Sequence, residues 1–296
     1  MLQHYKRTNS PICLGWIVAL AGVLGLSCSS EPAGPRQGTP EWLVQAASDN
    51  LAAGDYAKTV EQLGEAAGGP GDMAAKATLW LAAMRAGLAY GYDELADAFA
   101  AGMEENEAAV EDFQPMVSEY RRRTKVHAID FAEDVGDLEN LIGEQPMVAF
   151  DFPLPPGNAS ISPILASVEG GNKVDARLAA MESQTLTRGI FLAVAGLTGE
   201  DVADLAAMAG SEGGIQADAD RVRVGIARTL LDIAIMFDRE NINEPKVRSF
   251  VVDLAEKWVA PHRENESFAA MIEDFDFDLE NERRDMSGKR KVKKAD

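Results

Sequence analysis

Between Met73 and Ala101 the large apolar residues Leu81, Met84, Leu88, Tyr92, Leu95 and Phe99 are spaced 3, 4, 4, 3 and 4 apart. This is the repeat of one face of an α-helix, whereas a strand would place its apolar residues at every second position. The stripe passes through Gly91 without changing phase, so the segment is expected to be one long helix. Ala83, Gly87 and Gly91 recur every four residues along it, which predicts close approach by a neighbouring helix. A helix of this length and apolarity must be covered by several others. The same period recurs downstream. Val117, Tyr120, Thr124, Phe131, Val135 and Leu138 mark a helix opened by Pro115 and running to Asn140. Asp220–Phe237 is apolar nearly all round and is expected to be a central helix; its Arg221, Arg223, Arg228 and Asp232 rule against a membrane span. Asn243 is expected to cap Glu244–Val259, with Val247, Phe250, Val251, Leu254 and Trp258 facing inward. The last helix starts at Asn265 or Glu266 and carries Phe268, Met271, Ile272 and Phe275. The fold class is therefore all-α: a helical hairpin followed by a multi-helix bundle or array, about nine helices in total.

One stretch breaks the helical period. Gln145–Ser162 (QPMVAFDFPLPPGNASIS) is proline-rich and reads as an extended excursion, with Val148, Phe150, Phe152 and Leu154 alternating onto a helical surface. Helices resume near Val174–Leu197, and Thr198 with Asp201 forms a capping-box pattern for a short helix to Ala209. Ser211–Ala217 (SEGGIQA) is the expected boundary between a region 40–210 and a C-terminal segment 218–280 packed on it.

The N-terminal residues bear on location. Lys6 and Arg7 precede an uncharged run from Thr8 to Ser30 that ends in Leu24-Gly25-Leu26-Ser27-Cys28. A basic start, a short apolar core and small closing residues form an export signal, residues 1–27. The alternative is an uncleaved membrane anchor, because 23 uncharged residues just suffice to span a bilayer. The closing residues resemble the lipobox of bacterial lipoproteins, with Gly25 at the position where leucine is usual. The resemblance implies cleavage before Cys28 and lipidation of that cysteine. Ser29 in place of Asp implies, by the same resemblance, an outer-membrane lipoprotein facing the periplasm. Residues 28–39 (SSEPAGPRQGT from Ser29) are small, polar and proline-bearing, as in a tether. The only other cysteine, Cys13, lies in the leader, so the processed chain has no disulfide to rely on.

Charge excludes one class of partner. The net charge is −20, with +2 in the leader and +5 in 283–296, which leaves −27 for 28–282. So acidic a body repels nucleic acid. The basic 283–296 tail has no aromatic residue and is expected to be disordered.

Thr39-Pro40 is an N-cap with proline at the first helical position, and Gly54-Asp55 ends one helix and caps the next. The hairpin WLVQAASDNLAAGDYAKTVEQLGEAA, closed by the glycines at 68–71, resembles one tetratricopeptide repeat through Ala47, Gly54-Asp55-Tyr56 and Ala66. Thr59 stands where that repeat usually has alanine, and its closing proline is displaced to Pro70. Trp80 to Tyr92 echoes Trp42 to Tyr56 and would be a second, degenerate repeat if the long helix were broken at Gly91. The resemblance implies a partner surface on the first helix of the pair, at Gln45, Ser48, Asp49 and Ala52.

No nucleophile elbow, phosphate loop or zinc-protease motif occurs. Neither His127 nor His262 has the Glu three residues earlier that a di-metal bundle requires. His127 shares a helix face with Asp130 and Asp134, which fits a surface or half-buried histidine beside carboxylates better than a single-ligand metal or acid–base site. Asp274, Asp276, Asp278 and Glu280 alternate with Phe275, Phe277 and Leu279 and lack the glycine of a calcium loop; an acidic helix with buried aromatics is expected. Arg121-Arg122-Arg123-Thr124-Lys125 is the one basic cluster of the body, expected to pair in solvent with Glu104, Glu105, Glu107, Glu111 and Asp112. No catalytic residue, metal or cofactor is assigned.

The expected role is an interaction scaffold or envelope-complex component, anchored to the membrane by lipid and bound to another envelope protein. The alternative is a solute-binding lipoprotein beside a transporter. Ala255–Phe268 (AEKWVAPHRENESF) resembles a late segment of a helical lipoprotein family associated with periplasmic TRAP transporters. An enzyme comes third and would need partners converging on His127.

Overall fold

The computed structural model describes residues 34–293 except 106, 144, 152, 156–175, 210–213, 239–240 and 290. Cys28, the leader and the tether up to residue 33 lie outside the described residues. So does the second half of the extended excursion.

Thr39 caps α1 (Pro40–Ala52), its Oγ1 accepting from the Trp42 amide at 3.4 Å. Gly54 turns the chain at φ +76°, a conformation that costs glycine nothing. Asp55 then caps α2 (Tyr56–Ala67) through the Lys58 amide at 3.2 Å. Ala47, Thr59 and Ala66 are buried in this hairpin, and the Thr59 hydroxyl donates to the Asp55 carbonyl at 2.9 Å.

The stripe from Leu81 to Phe99 lies on a single helix, α3 (Asp72–Glu105), so there is no second hairpin at Gly91. Most residues of α3 from Ala77 to Phe99 are buried, because α2, α4 (Val110–Ile142), α5 (Ala176–Thr198) and α7 (Ala219–Met236) all pack on it. The close approach predicted by the glycines is made by α5. A Cβ on Gly87 would stand 2.8 Å from the Ile190 nitrogen, and one on Gly91 2.9 Å from the Leu186 Cα. Helix α5 meets α7 in the same way, where a Cβ on Gly225 would stand 3.0 Å from the Leu197 Cα. Helix α5 is thus clasped between two neighbours almost backbone to backbone.

Pro115 does not open α4; it sits inside it. The proline removes the amide donor that would have bonded to the carbonyl of Glu111, an exposed residue. Phe113, buried edge-on against Phe99 at 5.1 Å, holds the turn that precedes the proline.

Part of the excursion is extended as expected. Strand β1 (Met147–Phe150) pairs antiparallel with β2 (Ile215–Asp218), Phe150 opposite Ile215 and Met147 opposite Asp218. Phe150 and Ile215 are buried in the helical core. The segment expected to divide two halves is therefore, in its second part, a strand tied to residues some 70 positions earlier, and Pro35–Asp296 is one compact unit.

Asp201, not Thr198, caps the short α6 (Val202–Met208), accepting from the Ala203 amide at 2.7 Å. Thr198 closes α5 by donating to the Val194 carbonyl. Asn243 takes a left-handed conformation, φ +56°, which asparagine tolerates, and α8 (Pro245–Val259) starts two residues later. Its buried face is Arg248, Val251, Val252, Ala255, Trp258 and Val259, while Phe250 is 56% exposed. The phase is set by Arg248, whose Nε donates to Glu282 Oε2 at 3.0 Å with both residues buried. Asn265 caps a 3-10 turn ahead of α9 (Ala269–Met286), an unbroken helix through Asp274–Glu280 with Phe275 and Leu279 buried. Expected disorder from residue 283 is not found for the described part of the tail. Arg283 and Arg284 complete α9, and the Val292 amide donates to Asn281 Oδ1 at 2.7 Å.

Among the described residues no helix is long and apolar enough to cross a membrane. The structure is all-α, with nine α-helices among the described residues and one two-stranded ladder.

Candidate binding groove at the α1–α2 turn

Gln45, Asp49 and Ala52 lie on one exposed stripe of α1, four and three residues apart, with Ser48 half-buried at its edge. Gln45 Nε2 donates to Asp49 Oδ1 at 3.1 Å. The stripe ends beside Ala53, where a groove opens. Ala53 to Ala57 form one wall, Tyr92 of α3 lies at the floor, and Glu182, Ser183 and Leu186 of α5 form the far wall. The tight Gly54 turn and the close α3–α5 packing together set this shape.

Tyr56 is fixed into the groove wall: its hydroxyl shares a 2.7 Å hydrogen bond with Thr187 Oγ1 and donates to the Ser183 carbonyl at 3.3 Å. Tyr92 is 7% exposed. Its ring stacks on His127 at 5.7 Å and 8°, and on Tyr120 at 6.1 Å and 21°. Its hydroxyl accepts from Arg123 Nη1 at 3.1 Å. Two acidic residues, Asp55 and Glu182, line the groove with Tyr92. Burial pushes the Glu182 carboxyl above the usual range, against the pull of Arg123. Asp55 is held below it by its hydrogen bonds from Lys58, side chain and amide. A tyrosine and two acidic residues lining one concavity favour a cationic guest.

His127 is brought to the back of this aromatic stack, not to an open cleft. Burial, with Arg85 and Arg123 nearby, lowers its pKa to about 4, so the imidazole is neutral at physiological pH. Of the carboxylates on its helix face, Asp134 is engaged by Arg85 Nη1 at 2.5 Å and Asp130 lies 3.8 Å from Arg85 Nε. Among the described residues no three His, Cys, Asp or Glu side chains are grouped to hold a metal ion.

The basic cluster has other partners than those expected. Arg122 and Arg123 both donate to Glu119 at 2.8 Å, Lys125 pairs with Glu244 of the α7–α8 connection, and Arg121 lies by Asp93 and Asp97 of α3. The acids at 104–112 sit near the α3–α4 turn, and residues 121–125 are some ten positions further on. At 1.5 Å rise per residue that distance exceeds any side chain's reach.

Sequence reading misses Tyr92 and Glu182 as groove residues. Tyr92 is legible there only as a member of the apolar stripe. The available signal is its hydroxyl, which in a buried stripe needs a polar partner.

Comparison of the chain with protein families, with curated proteins and with solved structures finds no match.

Proposed function

We propose that this protein is a non-catalytic binding module of the bacterial envelope, anchored through lipid on Cys28 and facing the periplasm. The α1 stripe and the groove beside it capture a basic segment of another envelope protein. One observation carries the reading: Tyr92 and the carboxylates of Asp55 and Glu182 surround a single concavity that continues the exposed stripe Gln45, Asp49, Ala52. A lysine or arginine side chain placed there meets the exposed part of Tyr92, the Glu182 carboxyl and the Asp55 carboxylate, which Lys58 already pairs at 3.0 Å. Each such contact is worth about 0.5–2 kcal/mol depending on desolvation. The net charge of −20 speeds encounter with a basic partner, more so at low salt.

The test is titration of a fluorescent arginine- and lysine-rich peptide into the protein, against the same peptide with its basic residues replaced by serine. Glu182→Gln and Asp49→Lys should each weaken capture severalfold while circular dichroism stays unchanged. Equal affinity for both peptides, or indifference to both substitutions, overturns the reading. A small organic cation that displaces the peptide fully would favour a solute-binding role at the same groove.

A further inference from the structure

A cation already rests against two of the groove residues, Tyr92 and Glu182. Arg123 comes from α4 and reaches Tyr92 with its guanidinium, whose central carbon lies 5.3 Å from the ring centroid. Its Nη1 donates to the Tyr92 hydroxyl at 3.1 Å and lies 3.9 Å from Glu182 Oε1. A guanidinium against a tyrosine and a carboxylate is the arrangement an incoming arginine would make. The hold on Glu182 is loose, since 3.9 Å is beyond a hydrogen bond. The hold on Glu119 is firm: Arg123 Nε donates to Glu119 Oε1 at 2.8 Å, and Arg122 Nη2 donates to the same oxygen at 2.8 Å. Glu119 is correspondingly kept ionised, its pKa lowered to about 2 by these two arginines. Arg123 therefore stands between two acids, Glu119 on its own helix and Glu182 of α5, with its side chain 41% exposed.

We infer that Arg123 is an internal competitor for the groove: it occupies the Tyr92–Glu182 position in the free protein and yields it to a guanidinium or ammonium group of the partner by turning onto Glu119. This rests on the binding role proposed for the groove. The apparent affinity is reduced by the fraction of molecules in which Arg123 holds the position, and removing the competitor restores it. Displacing Arg123 gives up the Tyr92 hydrogen bond and ring contact but keeps the bond from its Nε to Glu119. The position therefore discriminates by charge and by planar shape: a neutral side chain cannot replace Arg123 at Glu182 without leaving that half-buried carboxylate unpaired.

The experiment titrates a labelled alternating arginine–serine peptide into four proteins: wild type, Arg123→Gln, Arg122→Gln and Glu119→Gln. Circular dichroism and urea midpoints check that each is folded. Arg122 carries the same charge on the same helix and is 63% exposed; its removal alters the charge and frees a Glu119 oxygen, but leaves Arg123 in place against Tyr92 and Glu182. Arg123→Gln should tighten binding about three- to tenfold, as expected when an occluding conformer is removed. Arg122→Gln should change it far less. Glu119→Gln should weaken binding, because Arg123 then has only the groove to turn to. Equal gains from Arg122→Gln and Arg123→Gln, or no gain from Arg123→Gln while Glu182→Gln still weakens capture, overturn the competitor and leave the groove. Absence of binding by wild type and Arg123→Gln alike overturns both.

Discussion

A Cβ placed on Gly189 of α5 would stand 2.7 Å from the backbone nitrogen of Gly91 in α3, and closer still to the Gly87 carbonyl oxygen. No side chain fits between the two helices there, and the obstacle is main chain, which cannot rotate away. Gly189→Ala is expected to destabilise by about 1–3 kcal/mol or more, the range of overpacked cores. Urea unfolding should show it as a lower midpoint at unchanged slope. Wild-type stability in this variant would mean that α3 and α5 are further apart.

Arg248 and Glu282 form an ion pair with side chains only 6% and 3% exposed, and Asp285 adds a second oxygen at 2.8 Å. Cutting Glu282 to alanine leaves a buried guanidinium with one half-exposed partner, and should cost about 3–5 kcal/mol. The double variant Arg248→Met, Glu282→Leu should recover much of this loss. Thermal unfolding of the three proteins compares them directly, and a double variant no better than Glu282→Ala would contradict the assignment.

Asp93 gives the fold a pH dependence of unusual sign. Burial first, then Asp97 and Asp238, raise its pKa to about 7 against the pull of Arg121. The folded state holds this proton up to neutrality, whereas the unfolded chain releases it near 3.8. Stability should therefore fall as pH rises from about 4 to about 7, by roughly 4 kcal/mol at most. Asp93→Asn should flatten this fall and be more stable than wild type at pH 8. A variant less stable than wild type at pH 8 would refute the assignment.

His127 acts in the opposite direction. Its pKa of about 4 in the fold lies below the ordinary 6.5, so the unfolded chain binds the proton more readily. The associated stability is present above about pH 6.5 and is lost as pH falls toward 4, roughly 3 kcal/mol in all. Proton NMR of the imidazole should show no titration between pH 8 and 5. His127→Phe, which preserves the stack on Tyr92, should fold and bind as wild type does.

Cys28→Ala should release the protein from membranes to the soluble fraction, and intact-mass measurement of the native form should show a lipid on a chain that begins at Cys28. A mass that still includes Met1 or Leu2 would end the lipoprotein reading.

Helical spacing makes most of the elements legible in the sequence itself. The Leu81–Phe99 stripe, the small face at Gly87 and Gly91, and the caps at Thr39 and Asp55 each involve residues within a few positions of one another. What escapes depends on distant partners. Arg248 takes an inward position on α8 because Glu282, more than thirty residues later, is there to meet it, and Phe250 turns outward as a result. The β1–β2 ladder likewise needs Ile215 opposite Phe150. The α1 stripe follows from spacing and a family likeness. The groove next to it does not, because Tyr92 and Glu182 come from helices that meet only in the folded chain.

The clasp of α5 between α3 and α7 also decides how this chain divides. The sequence suggests a boundary at Ser211–Ala217 between a first region and a C-terminal segment packed on it. Helix α5 lies before that point and α7 after it, yet Gly225 of α7 rests on the α5 main chain at Leu197. A fragment ending there keeps the hairpin and the groove but loses the helix against which α5 is seated. It would expose the apolar side of α5 to water and is expected to aggregate. Domain dissection and partial expression will therefore mislead, and partner capture has to be measured on a chain that retains everything from α1 to α9.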